Sequence, residues 1–447
     1  TVVLALLVVT AGCGRGPGAG GTGDAARAAT GPVDDRGLLI DKPYAGTTIR
    51  LLTCCRTVAQ FAALRKLTDS EFTARTGIKV EWANIPWASF TQKVVAQSVL
   101  GSGSSDAVMW TDAFGSAIRT GLEPIDDQMR ASGLDLDDFP DSLREAASAG
   151  DADRVYGIPV RAYAYGLFYR KDKYAEQGLS PAATWDEYFA GLDRLRAGND
   201  LYPMTGQYGR SGGQNLYLWL SMLWSNGADL FDKDGKAIFD SPEAIEATRT
   251  YLRMIDDGYT PKASANYGEV EATQAVEQGR SNQTFTWTWH QDNFASPKKS
   301  TKDVVANTGF APVPGFTGKP TVTMAQSWLA GVLKGSDHKG AAWEYIKWLT
   351  HPQTERTVAL DKSDPATASS IVVHRSNLAD PAVNAANAGM PATFEAITRN
   401  ARTLPQTASW PQTQDALEVA INEMAHGKNV GKSLRETADR VDALTQR

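Results

Sequence analysis

The chain has few of the residues and patterns that mark enzymes, metalloproteins and nucleic-acid-binding proteins. Its 447 residues include three cysteines and five histidines, and no two histidines have the HExxH or paired spacing of a metal site. No G-x-S-x-G sequence is present. The best match to a phosphate-binding loop, HGKNVGKS, has His426 where the first Gly belongs. We therefore expect no metal, no cofactor and no catalysis, with a glycan-acting enzyme as a disfavoured alternative.

Positive charge is also in short supply. Lys and Arg number 45 against 51 Asp and Glu, which gives a net charge of −6. Nucleic acids are bound by clustered Lys and Arg, so this balance argues against them as partners. No internal run reaches the eighteen or so apolar residues that span a bilayer.

A hydrophobic segment opens the sequence. Residues 1–12, TVVLALLVVTAG, are nearly all apolar and lead directly to Cys13. Such a run is typical of the hydrophobic core of a signal peptide. The tetrapeptide TAGC is similar to a bacterial lipobox, although Thr10 stands where Leu is usual. We expect Cys13 to carry the lipid of a lipoprotein anchored at the outer face of the bacterial cytoplasmic membrane, with an ordinary secretory cleavage site as the alternative.

The next segment has the composition of a tether. Residues 14–46 begin GRGPGAGGTGDAARAATGPVDD, rich in Gly, Ala and Pro and without periodic apolar residues. This composition indicates a flexible coil with a reach on the order of 30 Å. We assign residues 1–13 to a partial signal peptide and lipobox, and residues 14–46 to a flexible linker. Folded structure is expected to begin near Thr47.

Cys54 and Cys55 are adjacent in the sequence. Neighbouring cysteines rarely bridge each other because the ring is strained, and an isolated pair lacks metal-ligand spacing. We favour a buried thiol pair at the end of a strand. A vicinal disulfide is the alternative, which an exported compartment keeps open.

Strand and helix patterns alternate through the first part of the chain. TIRLLTC, IKVEWA and DAVMWT have strand patterns, and helix-periodic segments separate them. This βαβαβ order predicts a parallel sheet with helices on both faces. The chain length exceeds what one hydrophobic core supports, so two domains are expected. Further along, TWDE at 184–187 predicts a capping box, and Ser241 with Pro242 predicts a helix start.

The stretch QTFTWTWHQDNF at 283–294 carries two indoles. Alternation with period two predicts an extended strand with Trp287 and Trp289 on the same face. A core strand would use Val or Ile there, so the pair is interpreted as a binding surface with polar residues behind it.

Several segments, in this order, resemble the extracellular solute-binding proteins (family 1) of bacterial sugar ABC importers, whose best-known member is maltose-binding protein. They include SEFTARTGIKVEW, GSGSSDAVMWTDAFG, YGIPVRAYAYGLFYRKDKY, LWSNGADLFD, VEQGRSNQTFTWTW and WLAGVLKGSDHKGAAWEYIKWLTHPQTE. Together they span roughly residues 47–445. Each segment is short and degenerate, and the resemblance lies in the order of the segments.

The resemblance implies a two-lobed periplasmic-binding-protein fold, α/β in class. Each lobe would be a mostly parallel sheet flanked by helices, and hinge crossings would join the lobes. The N-terminal lobe would comprise 47–161 and 315–366, and the C-terminal lobe 162–314 and 367–447. Crossings are expected near Arg161–Ala164, Pro312–Pro314 and Ala366–Ser370. Family members close around a ligand and then dock on a membrane permease, which a separate ATPase drives.

Ligand contacts are expected at strand ends facing the cleft. A sugar needs flat aromatics for its C–H face and planar polar groups for its hydroxyls. The resemblance places Asp112 at a hydroxyl acceptor, and Tyr217 and Trp289 at stacking aromatics. Tyr163 and Tyr165 stand where maltose-binding protein has an acidic contact, so the hydroxyl pattern should differ. The complete set of candidates is Arg56, Trp110, Asp112, Tyr163, Tyr165, Asn215, Tyr217, Trp287, Trp289, Trp328, Arg375 and Trp410.

We expect a neutral mono- or oligosaccharide as ligand. The alternative is a phosphorylated polyol or other anionic sugar, held by Arg56, Arg161 and Arg375. A lipoprotein that only scaffolds envelope partners is less favoured. The expected partners are the carbohydrate, the transmembrane subunits of an ABC permease and, through the lipid anchor, the membrane. The protein itself is expected to be a monomer.

Overall fold

The computed structural model describes residues 30–54, 59–86, 89–100, 104–198, 200–364 and 369–445. The strands are β1 (Thr48–Thr53), β2 (Lys79–Asn84), β3 (Ala107–Thr111), β4 (Ile158–Arg170), β5 (Gln283–Trp287), β6 (Thr308–Ala311), β7 (Thr323–Val332) and β8 (Ala401–Arg402). The helices are α1 (Ala59–Leu67), α2 (Thr73–Thr76), α3 (Phe90–Leu100), α4 (Asp126–Ser132), α5 (Asp141–Ala146), α6 (Lys171–Glu176), α7 (Trp185–Gly198), α8 (Tyr217–Ser225), α9 (Pro242–Asp256), α10 (Glu269–Glu277), α11 (Gln291–Phe294), α12 (Lys302–Asn307), α13 (Lys339–Leu349), α14 (Pro352–Leu360), α15 (Arg375–Leu378), α16 (Pro381–Ala386), α17 (Met390–Thr398), α18 (Trp410–Ala425) and α19 (Val430–Thr445).

The sheet is mixed, with a strand order β2-β1-β3-β7-β4-β5. β1 is parallel to both β2 and β3, as the βαβαβ order predicts. β7 is antiparallel to β3 and β4, and β5 and β6 are antiparallel to β4. The α/β class is therefore confirmed, whereas a mostly parallel sheet holds only for the first three strands. We call β1, β2 and β3 the first group of strands, and β5 and β6 the second group. The long strands β4 and β7 lie between the two groups and run antiparallel to their neighbours in this order.

Two long strands connect the two groups. β4 pairs with β7 as far as Ala164 and with β5 from Tyr165 onward. This change of partner lies where the first crossing is predicted. The second connection between the groups is β7, which pairs with both β3 and β4. The predicted crossing at Pro312–Pro314 comes earlier in the chain, where Gly315 still bridges to Thr184 beside α7. Residues 365–368, in the third predicted crossing, lie outside the described residues.

Folded structure begins before Thr47, contrary to the expectation of a flexible linker up to residue 46. Val33 and Leu39 form an antiparallel bridge, and Leu38 is buried in the core. The backbone N–H of Leu39 donates to Glu344 (3.0 Å), and the Lys347 ammonium donates to the carbonyl oxygen of Gly37 (2.7 Å). We call residues 33–39 the N-terminal strap. Polar contacts with α13 hold it, and composition alone does not reveal these contacts.

Several helix boundaries follow their predicted local chemistry. Gly77, at φ +76°, ends the helical run after α2 in the left-handed region. Thr184 and Glu187 exchange side-chain-to-backbone hydrogen bonds at 3.3 Å, which confirms the capping box before α7. The Ser241 hydroxyl accepts from the N–H of Ala244 at the start of α9.

Cys54 is buried and disulfide-bonded. The favoured thiol interpretation is therefore wrong, and the bonding partner lies outside the described residues. In the described part of the chain, no helix combines the length and apolar character needed to cross a bilayer.

Candidate functional site

Four of the predicted site residues meet where β4 changes partner. The Trp287 ring lies 4.7 Å from Tyr217, 5.1 Å from Tyr165 and 6.4 Å from Tyr163, measured between ring centroids. All three contacts are edge-to-face, the arrangement that aromatic quadrupoles favour. β4 supplies two of the rings, β5 supplies the indole, and α8 begins at the fourth. We call these four residues the aromatic cluster.

A loop before α8 fixes the orientation of this cluster. Trp287 donates from Nε1 to the side-chain oxygen of Gln214 at 3.2 Å. The Tyr217 hydroxyl donates to the carbonyl oxygen of Gly212 at 3.2 Å. Gly213 has φ +88°, and a Cβ there would lie 2.8 Å from the Tyr217 hydroxyl oxygen. The close approach therefore requires glycine, and Gln214 is a site residue that the sequence did not reveal.

The alternation predicted that Trp287 and Trp289 share one face of a strand. This prediction is wrong. β5 ends at Trp287, and Thr288–His290 forms a turn of 3-10 helix that rotates the next indole away. Trp289 is partly exposed and stacks on His290, with ring centroids 3.8 Å apart and planes 27° apart. His290 is held in turn by Glu269 at 3.0 Å. The two indoles therefore have separate environments.

Asp112 directly follows β3 and is fully buried. The N–H groups of Leu404, Ser327 and Ala113 lie near its carboxylate and lower its pKa, but burial dominates and raises the pKa to about 8. Among the described residues, no group makes a hydrogen bond of normal geometry to either carboxylate oxygen. Buried carboxylates are normally paired, so this one has acceptor capacity that the protein leaves unused.

Other buried polar atoms without partners in the described chain lie near Asp112. Gln406 donates to the backbone oxygen of Asp112 at 3.0 Å, while its own side-chain oxygen has no partner. Gln326, paired across the strands with Tyr163, has an unused amide nitrogen, and Ser327 beside it has an unused hydroxyl. Sequence reasoning missed all three. Gln326 lies two residues before Trp328 on β7, whereas nothing in the sequence near Gln406 indicates its position.

Asn215 and Trp410 are buried close to these groups. The Asn215 amide nitrogen donates to the carbonyl oxygen of Glu418 at 3.0 Å, and its side-chain oxygen has no partner within the described residues. Trp410 begins α18, which packs against the 3-10 segment that starts at Asp112. Its indole N–H is likewise buried and unpaired within the described chain.

Trp110 and Trp328 are buried in the hydrophobic core, as are the aromatic cluster and Trp410, and their role as ligand contacts stays a prediction. Trp110 is fully buried, and its indole nitrogen Nε1 lies against two glycines. A Cβ atom added to Gly157 or Gly331 would lie 3.1 or 3.3 Å from Nε1. Trp328 packs between Phe61 and Phe90, at centroid distances of 5.4 and 5.8 Å. Large rings fill space between the sheet and the helices on its two faces.

The two described members of the predicted arginine set, Arg161 and Arg375, lie in different environments. Arg375 pairs with Asp141 at the surface (2.9 Å), so its predicted ligand role is corrected. Arg161 is fully buried, with Glu355 and Asp292 as the nearest opposing charges, and burial lowers its pKa. Arg56 lies outside the described residues. Within the described chain, no group of three or more His, Cys, Asp or Glu side chains is arranged to hold a metal ion.

The overall fold is shared with solved solute-binding proteins. Similar solved structures include MalE3 of T. maritima with bound maltose (TM-score 0.79, 20% identity, 89% of this chain and 100% of that one). A solute-binding protein of an ABC transporter from Agrobacterium radiobacter K84, in complex with ribitol, has a TM-score of 0.76 and 22% identity, with 90% and 100% covered. A probable amino-acid ABC transporter periplasmic-binding protein of Sinorhizobium fredii is 26% identical over 351 residues, which is 76% of this chain and 77% of that one. The family model for bacterial extracellular solute-binding proteins matches residues 57–355, and the chain therefore belongs to the bacterial extracellular solute-binding protein family.

Proposed function

We propose that this solute-binding protein captures a neutral saccharide or polyol between its two groups of strands and delivers it to the permease of an ABC importer. The observation that carries the proposal is Asp112, a buried carboxylate with two unused acceptor oxygens. Hydroxyl groups donate to such an acceptor, and unmatched groups of this kind cost about 1–3 kcal/mol each. The aromatic cluster and the unused amides of Gln326 and Gln406 supply the other contacts that a sugar requires.

Charge favours a neutral ligand over a phosphorylated one. Because burial raises the pKa of Asp112 to about 8, its carboxyl is largely protonated at neutral pH, so it offers hydrogen bonds to hydroxyl groups and no positive charge to an anion. Arg375 is engaged by Asp141 at the surface. Arg161 is the only other described arginine of the predicted set; burial lowers its pKa, and the charges of Glu355 and Asp292 act in the opposite direction. The anionic alternative therefore lacks the clustered arginines that it needs among the described residues.

The similar structures guide the choice of ligands. One was solved with maltose and another with ribitol, so saccharides and linear polyols come first in a screen. One relative is named as a probable amino-acid ABC transporter periplasmic-binding protein, so amino acids form a second group of compounds in the screen.

A thermal-shift screen followed by calorimetry tests the proposal. A true ligand at 100 times its dissociation constant stabilises the protein by about 2.7 kcal/mol. Affinity should be insensitive to ionic strength for a neutral ligand. If no saccharide or polyol shifts the melting temperature, or if Asp112→Asn leaves the affinity unchanged, the proposal is wrong.

We also propose lipid anchoring through Cys13, with a tether that ends at the N-terminal strap near Val33. The strap's contacts with α13 support this shorter tether. Mass spectrometry of the N-terminal peptide from the native membrane fraction tests it, with Cys13→Ala as the control. An unmodified Cys13, or a Cys13→Ala protein that stays in the membrane fraction, would refute it.

Lobe closure is part of the same proposal. The crossing of β4 and β7 supports a hinge, because two strands connect the groups that would move. Small-angle scattering with and without saturating ligand should show a smaller radius of gyration in the bound state. Identical profiles would refute closure.

A further inference from the structure

A cavity of about 280 Å³ lies beside α11, away from the aromatic cluster. One wall is α11 with the residues that follow it, including Gln291, Asp292 and Pro297. The opposite wall combines Lys362, just after α14, with Asn387 at the end of α16. Its volume is just below the range typical of drug-sized ligands, which suits a small solute.

Asp292 provides an unused acceptor in this cavity. Its Oδ1 accepts from the N–H of Ser370 at 3.0 Å, while Oδ2 is enclosed and has no hydrogen-bond partner within the described chain. Burial raises the pKa of this carboxyl to about 6, so it is largely ionised at neutral pH. Lys362 and, more weakly, the buried Arg161 are the cations whose charges act on this carboxylate, and Oδ2 still lacks a hydrogen-bond donor within the described chain.

Lys362 provides the opposite charge at the mouth of the cavity. Its ammonium donates to the carbonyl oxygen of Ser369 at 2.8 Å and to Oδ1 of Asn387 at 2.6 Å. An ammonium group has three N–H donors, so one remains beyond these two bonds. The two contacts hold the side chain in place beside the cavity that it lines.

The remaining wall is small and partly apolar. Ala295, Ala386 and Ala388 line it together with Pro297. Ala388 has φ +53°, a left-handed conformation that costs energy for a residue with a Cβ. The cavity thus offers one anionic acceptor, one cationic donor and room for a short aliphatic or hydroxylated side chain.

We propose that this cavity binds a small α-amino-acid zwitterion, with its ammonium group on Asp292 and its carboxylate on Lys362. The amides of Gln291 and Asn387 flank the two charged ends. The site is separate from the saccharide site and does not depend on it.

Calorimetry of the full chain with L-alanine and L-serine tests the inference. Both should bind saturably, also in the presence of a saturating saccharide where one is known. N-acetyl-L-alanine and L-alaninamide each lack one of the two charges and should bind at least ~10-fold more weakly. No heat change with alanine or serine up to about 10 mM would overturn the proposal.

Variants locate the site. Asp292→Asn keeps an oxygen for Ser370 but removes the charge, and Lys362→Met keeps most of the side-chain stem. Each should weaken alanine binding by ~10-fold or more, whereas the exposed control Asp303→Asn should not. Unchanged affinity in Asp292→Asn would overturn the proposal. Loss of alanine binding in Asp112→Asn alone would place the amino acid in the saccharide site and also overturn it.

Discussion

Replacing Asp112 by Asn should stabilise the ligand-free protein at alkaline pH while weakening ligand binding. Burial raises the pKa of this carboxyl from 3.8 to about 8. The folded state therefore holds the proton more tightly than the unfolded state, and stability falls as the pH rises between about 4 and 8. The difference in pKa corresponds to up to about 6 kcal/mol above pH 8. Asn cannot ionise and does not carry this cost.

The assay is the melting temperature of both proteins from pH 4 to pH 9. For a chain of this size, 6 kcal/mol corresponds to a difference of up to about 7 °C at the alkaline end. The two curves should approach each other towards pH 4, where Asp112 is protonated in the folded state and only partly ionised in the unfolded state. The exposed control Asp153→Asn should follow the wild type throughout.

Ligand affinity provides the second half of this test. At pH 9 the carboxyl is ionised, and a hydrogen bond to a charged acceptor contributes about 1.5–3 kcal/mol, so Asp112→Asn should weaken binding at that pH by about 10- to 150-fold. Gain of stability together with loss of affinity is the expected result for a binding residue that the free protein leaves unpaired. Parallel pH curves for wild type and variant would refute the reasoning, because they would mean that the carboxylate is hydrated or paired.

Three further substitutions separate the roles of other residues. Trp287→Ala should lower the free energy of unfolding by about 3–5 kcal/mol, because it removes a buried ring. Chemical denaturation measures this loss, and a loss below about 1 kcal/mol would contradict the packing of the ring. Trp289→Ala should leave the melting temperature nearly unchanged because the indole is partly exposed, and it should weaken saccharide binding in calorimetry; a large fall in melting temperature instead would place this ring in the core. Lys347→Met should destabilise by about 3 kcal/mol, because it leaves Glu344 buried without its 2.5 Å ion-pair partner. Unchanged denaturation of Lys347→Met would show that the N-terminal strap is not held by this pair.

Local sequence patterns predicted local structure well. The three N-terminal strands, the capping box at Thr184 and the stop at Gly77 are each decided by residues within a few positions of one another. The prediction for QTFTWTW was wrong past Trp287, because a tight turn interrupts an alternation that continues in the sequence. Period two describes a strand only while the backbone stays extended.

The candidate site was partly predictable. Tyr163, Tyr165, Tyr217 and Trp287 were identified as candidates, and the fold brings their rings together. The burial of individual indoles was less predictable, because a core and a binding cleft both use large aromatic rings. Trp110, Trp287 and Trp328 are all buried in one core cluster, whereas Trp289 is partly exposed, and residue type and spacing do not distinguish them.

The sequence by itself determined the α/β class, the family and the positions of most helices and strands, since these follow from short-range periodicity and from segment order. Tertiary structure alone decided which side chains meet. Gln214, Gln326 and Gln406 reach the site from three distant parts of the chain, and the pKa of Asp112 rises only when burial removes its water. A pKa and a missing hydrogen-bond partner are properties of surroundings assembled by folding, so no local pattern encodes them.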